Sequence, residues 1–167
     1  MTEVFLALGS NVGDRLHYLT RAVDLIRGWG RITAVAPLYR TSPYGETDQP
    51  WFYNSALKLE TELTPVQLLT ELKKIEKVVG RQTRRHWGPR EIDVDIIFYD
   101  QQITRAENLT IPHPDFHNRR FVLQPLSDIA EGFISPLQQQ SVKELLEACP
   151  DKNQVEKLKT AWYPEWN

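Results

Sequence analysis

Two segments with helical periodicity alternate with four short apolar runs, and this order constrains the fold of the 167-residue chain more than any other feature. Apolar residues at helical spacing predict one helix that follows Asp14 and a second that runs from Thr64-Pro65 to Val79. The apolar runs predict strands at 4–8, 31–39, 51–59 and 92–99. The resulting βαββαβ order predicts a ferredoxin-like α+β fold, an antiparallel sheet with helices packed on it.

The last third of the sequence is less regular and predicts additions to this core. Weak helical patterns cover 141–148 and 154–161, and two apolar stretches, 109–112 and 121–125, flank a polar loop. The tail, 162–167, contains two tryptophans and a proline and either docks on the body or frays.

Bulk properties indicate one domain, 1–167, in the cytoplasm. The net charge of −2 argues against a general nucleic-acid binder, and a lone cysteine, Cys149, suits a reducing compartment. The N-terminus lacks the basic region of a signal peptide, and no apolar run approaches the roughly 20 residues of a membrane helix. We therefore expect neither a membrane nor an obligate protein partner.

Residues 80–95 combine a basic loop with a pair of carboxylates. The residues concerned are Arg81, Arg84, Arg85, His86, Trp87 and Arg90, followed by Asp93 and Asp95. Positions i and i+2 of a strand share a face, so both carboxylates converge on one spot beside a basic loop. Magnesium prefers one or two carboxylates completed by phosphate and water, and arginine matches phosphate oxygens. The pattern predicts metal-assisted phosphate chemistry; the alternatives are solvent-facing aspartates and a solvated loop.

Two further segments suit a flat heterocycle and a polyphosphate. Aromatic, amide and hydroxyl side chains mix at 41–54, where rings could stack on the heterocycle and Asn54 could bond its edge. The stretch 112–121 could add His113 and Arg119 as phosphate donors and Phe121 as a stacking face. Taken alone, each segment is better explained by packing and loop structure.

In this order the motifs resemble the 6-hydroxymethyl-7,8-dihydropterin pyrophosphokinase family of folate biosynthesis. The matching segments are 8–11, 39–43, 48–50, Arg81, 87–90, 92–96, 112–114 and 118–123. The resemblance implies pyrophosphate transfer from ATP to the hydroxymethyl group of the pterin, with release of AMP. It also implies a ferredoxin-like fold, two magnesium ions and an arginine-rich loop that closes over the substrates.

The resemblance also implies roles for individual residues. Asp93 and Asp95 would hold the metal and, with Arg81 and Arg90, form the catalytic set. ATP would be bound by Glu76, Arg81, Trp87, Arg90, Ile96, Thr110, His113 and Arg119. The pterin would be bound by Thr41, Ser42, Tyr44, Phe52, Asn54, Asp93 and Phe121, with the two phenylalanines on either side of the ring.

The chain departs from the family pattern at a few positions. Pro114 stands where some members carry an aromatic residue, and His86 where a basic residue is common. Arg84 and Arg85 are candidates for the phosphate side only, since loop length varies in the family. Two other classes share the fold: an RNA-binding module with exposed aromatics on central strands, and a regulatory binding domain without chemistry. Paired carboxylates beside an arginine loop favour the enzyme over both.

Overall fold

The computed structural model describes residues 1–43, 48–82 and 88–164. Strands and helices follow one another as β1 (Thr2–Ser10), α1 (Arg15–Ile26), β2 (Arg31–Val35), β3 (Leu38–Thr41), β4 (Phe52–Thr61), α2 (Pro65–Val79), β5 (Asp93–Tyr99), β6 (Thr104–Ala106), β7 (Leu109–Ile111), α3 (Arg120–Ala130), α4 (Val142–Glu147) and β8 (Val155–Lys159).

A six-stranded antiparallel sheet forms the centre of the fold. Its order is β5-β1-β4-β3-β8, and β2 also pairs with β4. The longest ladder joins β1 to β4, from Thr2 opposite Thr61 to Ser10 opposite Tyr53. The predicted α+β fold with an antiparallel sheet and packed helices is confirmed, with β6 and β7 forming a separate hairpin.

Local capping explains why α1 and α2 begin where the sequence predicted. The Asp14 carboxylate accepts the His17 N–H at 3.1 Å. At α2, Thr64 and Gln67 bond each other's backbone N–H groups, and Pro65 occupies the first helical position. These side chains satisfy donors that a helix start leaves unpaired.

Alternation along the strands gives the sheet two apolar faces. On one face Val4, Leu6 and Leu8 pack with buried residues of α1 and α2. On the other, Phe5 and Ala7 pack with α3 and α4. Helices thus cover both faces, and α3 covers its face only in part.

Three elements differ from the sequence prediction. The strand predicted at 31–39 is two strands, since pairing stops at Pro37, which has no N–H to donate. The helix predicted at 154–161 is wrong: this segment is strand β8, because the edge of β3 offers it a ladder. Helix α3 was not predicted from the apolar stretch at 121–125, and its first N–H, that of Arg120, is bonded by the distant Asp151 carboxylate at 3.0 Å.

The tail docks on the body as far as it is described. Trp162 and Tyr163 are buried in the core on the α1 and α2 side. The Trp162 indole N–H donates to the Ala36 carbonyl at 2.8 Å. Across 1–43, 48–82 and 88–164, no helix has the length and apolarity needed to cross a membrane.

Candidate active site

A cavity of about 290 Å³ opens on the sheet face that α3 covers only in part. Its floor comes from residues that alternate toward this face on neighbouring strands: Thr41 of β3, Phe52 and Asn54 of β4, Ala7 and Gly9 of β1, and Asp93 and Asp95 of β5. Arg81, Arg90, His113, Arg119 and Phe121 also line it. Segments far apart in sequence therefore meet at one end of the sheet.

Asp93 and Asp95 lie on the same face of β5, as their spacing predicted, and both line the cavity. Burial, and next the negative charges of Asp93 and Glu76, raise the pKa of Asp95 to about 7. Such a pair is stabilised by a cation. No cluster of three or more histidine, cysteine or carboxylate side chains among the described residues forms a metal cage. The two carboxylates on one strand face fit a magnesium ion that would take its remaining ligands from substrate and water.

Arg81 lies beside these carboxylates. One guanidinium nitrogen, Nη1, is 2.9 Å from Glu76 Oε1 and 3.2 Å from Asp93 Oδ1. It joins the end of α2 to the start of β5 and lines the cavity.

Glu76 lies behind the cavity wall rather than on it. It is 2 % exposed, and its Oε2 accepts the Val94 N–H at 2.8 Å. Burial, and next the charge of Asp93, raise its pKa. Helix α2 turns Glu76 inward onto β5 and places it behind Arg81. The ATP contact that the resemblance implied for Glu76 stays a prediction.

Arg90 is held by its main chain and lines the cavity. Its N–H donates to Asn11 Oδ1 at 2.8 Å, and its carbonyl accepts the Asn11 N–H at 2.9 Å. The other loop candidates, Arg84, Arg85, His86 and Trp87, lie outside the described residues, as does Tyr44.

Thr41 and Asn54 give the cavity uncharged polar groups. Thr41 Oγ1 donates to Asn54 Oδ1 at 2.5 Å, and Asn54 Nδ2 donates to the Leu8 carbonyl at 3.3 Å. These bonds fix the amide orientation and leave one N–H and one lone pair for a ligand. Phe52 and Phe121 both line this cavity. Ser42 lines it too, while its hydroxyl accepts the Gln154 N–H at 3.0 Å.

A second cavity of about 300 Å³ adjoins the first. Ile96, Thr110 and His113 line it, as do Lys73 and Asp95, and Lys73, Asp95 and His113 are common to both cavities. Three of the predicted ATP contacts thus share one wall. Pro114 lies there as well.

His113 is neutral in this setting. Burial, and next the positive charge of Arg119, lower its pKa to about 4. Its Nδ1 accepts the Asp115 N–H at 3.2 Å, so the ring proton is on Nε2. His113 can therefore donate one hydrogen bond to an anion. Arg119, bonded through Nε to Asp115 at 3.2 Å, supplies the charge at this end of the first cavity.

Sequence reasoning missed Lys73 and Glu91. Lys73 lines both cavities, and its Nζ is 3.4 Å from Glu76 Oε1. The sequence feature that could have identified Lys73 is its position one helical turn before Glu76. Glu91 is 5 % exposed and accepts the Gln82 N–H at 3.2 Å. This bond links Gln82, which precedes residues 83–87, to Glu91, which follows them.

Comparison with known proteins gives concordant matches. The model of the 7,8-dihydro-6-hydroxymethylpterin-pyrophosphokinase family matches residues 5–131. The 2-amino-4-hydroxy-6-hydroxymethyldihydropteridine pyrophosphokinase of Aquifex aeolicus is 40% identical over 144 residues, which are 86% of this chain and 90% of that relative. The enzyme of the same name from Haemophilus influenzae is 39% identical over 158 residues, 93% of this chain and 98% of the relative.

Longer proteins also match. A mitochondrial folate synthesis bifunctional protein of Pisum sativum is 50% identical over 128 residues, 76% of this chain and 25% of that protein. Wild-type HPPK-DHPS of Plasmodium falciparum with SDX-DHP aligns with a TM-score of 0.69 at 18% identity, over 89% of this chain and 43% of that chain. An HPPK-DHPS in complex with substrates aligns with a TM-score of 0.73 at 14% identity, over 89% of this chain and 45% of that chain. At these identities the solved structures show a common fold, and this chain spans less than half their length.

Proposed function

This chain belongs to the 7,8-dihydro-6-hydroxymethylpterin-pyrophosphokinase family, and from that premise we propose that it transfers pyrophosphate from ATP to 6-hydroxymethyl-7,8-dihydropterin in folate synthesis. The family suggested by the sequence motifs is thereby confirmed. Membership of this family favours pyrophosphate transfer over the two alternatives, an RNA-binding module and a regulatory domain without chemistry.

The observation that carries the proposal is the position of Asp95 at the boundary of two adjoining cavities. One cavity has an amide and two phenylalanines, which suit a flat pterin ring. The other has the predicted nucleotide contacts. A triphosphate that runs from the second cavity into the first passes the carboxylates, where the two substrates meet.

The transfer needs no side-chain nucleophile. The pterin hydroxymethyl oxygen bonds to the β-phosphorus, the bond from that phosphorus to the oxygen it shares with the α-phosphate breaks, and AMP leaves with that oxygen. The hydroxyl proton passes to water. Catalysis then consists of positioning and charge neutralisation. Arg81 and Arg90 neutralise the transferred group, while Arg119 and neutral His113 bond the polyphosphate.

Asp93 and Asp95 would hold magnesium, two ions in the proposed complex. When bound, magnesium neutralises phosphate oxygens and lowers the cost of deprotonating the hydroxyl. Thr41, Ser42 and Asn54 orient the pterin, with Phe52 and Phe121 stacking on its ring. Ile96 and Thr110 contact the nucleotide. Trp87 and Tyr44 keep the roles that the resemblance implied, as predictions.

We assign residues 1–167 to one pyrophosphokinase domain that acts on small molecules, and we propose the cytoplasm as its location. The test is incubation with magnesium, ATP and the hydroxymethyl pterin, followed by separation of nucleotides. Pterin-dependent AMP is the expected product. ADP, or no pterin-dependent product, would refute the proposal. A matched incubation with EDTA should give no AMP.

A further inference from the structure

Asn11 connects three segments that border the candidate active site. It follows β1 directly and is 1 % exposed. Its Oδ1 accepts the Arg90 N–H at 2.8 Å. Its Nδ2 donates to Gln49 Oε1 at 2.8 Å and to the Pro50 carbonyl at 3.0 Å. The amide nitrogen and the carbonyl oxygen of this buried side chain are therefore both bonded, the nitrogen to the segment 49–50 and the oxygen to Arg90.

The bonds to Arg90 fix its main chain. The Asn11 N–H also donates to the Arg90 carbonyl at 2.9 Å, so one residue holds both main-chain polar groups of Arg90. Arg90 lies on the wall of the first cavity. These bonds fix the position of the Arg90 main chain relative to the end of β1. Gly9, near that end, lies on the floor of the same cavity.

The bonds to Gln49 and Pro50 act on the opposite wall. Two residues beyond Pro50 comes Phe52, which begins β4 and lines the same cavity. The Nδ2 group thus anchors the chain just before this ring. Asn11 itself is not among the residues that line either cavity.

We propose that Asn11 is a positioning residue that sets Arg90 and Phe52 at a fixed separation across the cavity. This inference rests on the proposed function, in which Arg90 assists transfer and Phe52 stacks on the pterin. Small displacements of such groups are costly, since a shift of about 1 Å can cost roughly 100-fold in rate. Asn11 acts through these residues and does not touch substrate.

The test is a double-mutant cycle between Asn11→Ala and Arg90→Ala, with kcat for pterin-dependent AMP formation as the readout. If Asn11 acts through Arg90, Asn11→Ala lowers kcat about 10- to 100-fold alone and by less than about threefold when Arg90 is already alanine. Full multiplication of the two losses, or an unchanged kcat in Asn11→Ala, would overturn the proposal.

Thr61→Val is the matched control. Thr61 is also 1 % exposed and ties two segments, since its hydroxyl donates to the Trp29 carbonyl at 2.7 Å and accepts the Leu63 N–H at 3.1 Å. It lies opposite Thr2, at the far end of the β1–β4 ladder. Thr61→Val should lower the melting temperature without changing kcat, whether residue 90 is arginine or alanine. A comparable fall in kcat would make the Asn11 effect a general stability effect and refute the inference.

Gln49→Ala tests the other bond and serves if Asn11→Ala does not fold. Gln49 is only partly buried, so this variant should fold. It should raise KM for the pterin about tenfold and change kcat by less than twofold. Unchanged KM for the pterin would refute the link to Phe52. Failure of the proposed function is separately visible, because wild-type protein would then form no AMP.

Discussion

Asp95 carries a charge that the folded protein without metal accommodates poorly. Its pKa is raised to about 7 by burial and then by Asp93 and Glu76, whereas a carboxyl in an unfolded chain titrates near about 3.9. Between these values the folded state binds more protons than the unfolded state. Stability contributed by the protonated carboxyl is therefore lost as pH rises from about 4 to 7.

Replacing Asp95 by asparagine should therefore separate stability from activity. At pH 8 in EDTA we expect Asp95→Asn to raise the free energy of unfolding by about 1 to 2 kcal/mol, because it removes a partly buried charge. Turnover should fall at least about 100-fold, because the variant removes a proposed metal ligand. Urea unfolding and AMP formation measure the two effects. Retained turnover with magnesium would contradict the metal assignment.

The control for this variant is Glu62→Gln. The Glu62 side chain is 79% exposed, and its carboxylate lies 3.7 Å from the N-terminal amine. Neither unfolding free energy nor turnover should change appreciably, since exposed ion pairs contribute little.

Gly9 leaves space that Asn54 occupies. A Cβ at Gly9 would lie 2.8 Å from Asn54 Nδ2 and 3.6 Å from the Phe52 ring. Gly9→Ala should displace the amide and weaken pterin binding about tenfold, the cost of roughly one hydrogen bond, while ATP affinity stays the same. Calorimetric titration with each ligand tests this. Gly28→Ala, where nothing lies within 4 Å, should change neither affinity.

At the scale of elements, the sequence predicted those helices whose start signals are local. Asp14, Thr64 and Ser141 each cap the helix that follows them, and all three helices were expected. Helix α3 has no such signal: the side chain that bonds its first N–H, Asp151, lies 31 residues away, and Pro125 interrupts its pattern. Strand β8 exists because β3 offers it an edge, which no local periodicity encodes.

The same distinction applies to the site. Alternation alone placed Asp93 and Asp95 on one face, and the resemblance supplied further residues that line the two cavities, such as His113 and Arg119, but not Lys73. Neither indicated that Glu76 faces inward, because its partner is the Val94 N–H across the packing of α2 on β5. The joining role of Asn11 was likewise hidden, since its side-chain partners lie 38, 39 and 79 positions away.

The docked tail is an element-scale contribution to stability. Trp162 is 5 % exposed and bonds the Ala36 carbonyl between β2 and β3. Trp162→Ala should lower the free energy of unfolding by about 3 kcal/mol through the cavity it leaves. Trp162→Phe should cost about 1 to 2 kcal/mol, mainly through the lost hydrogen bond and the smaller ring. Urea unfolding gives both values.

The comparison residue is Trp29, which is 40% exposed. Trp29→Ala should change stability by no more than about 0.5 kcal/mol, as is usual for surface positions. An equal loss for both tryptophans would contradict a docked tail.

For the molecule as a whole, the two cavities share Lys73, Asp95 and His113. Ligands in adjoining cavities with common walls should influence each other. We expect a non-hydrolysable ATP analogue with magnesium to raise pterin affinity about tenfold, a coupling of about 1.4 kcal/mol. Calorimetric titration of the pterin with and without the analogue measures it. In EDTA the coupling should largely vanish, and equal pterin affinities under all conditions would show that the cavities act independently.

The single Arg81 nitrogen that bonds Asp93 as well as Glu76 makes metal binding an exchange. At the proposed metal site, a free cation that bound this oxygen would displace a guanidinium that already balances it, whereas a metal arriving on a triphosphate would bring anionic oxygens that could receive the released arginine. The protein should consequently bind free magnesium weakly and the magnesium–nucleotide complex tightly. The occupancy of the metal site in a cell would then follow the concentration of ATP rather than that of free magnesium.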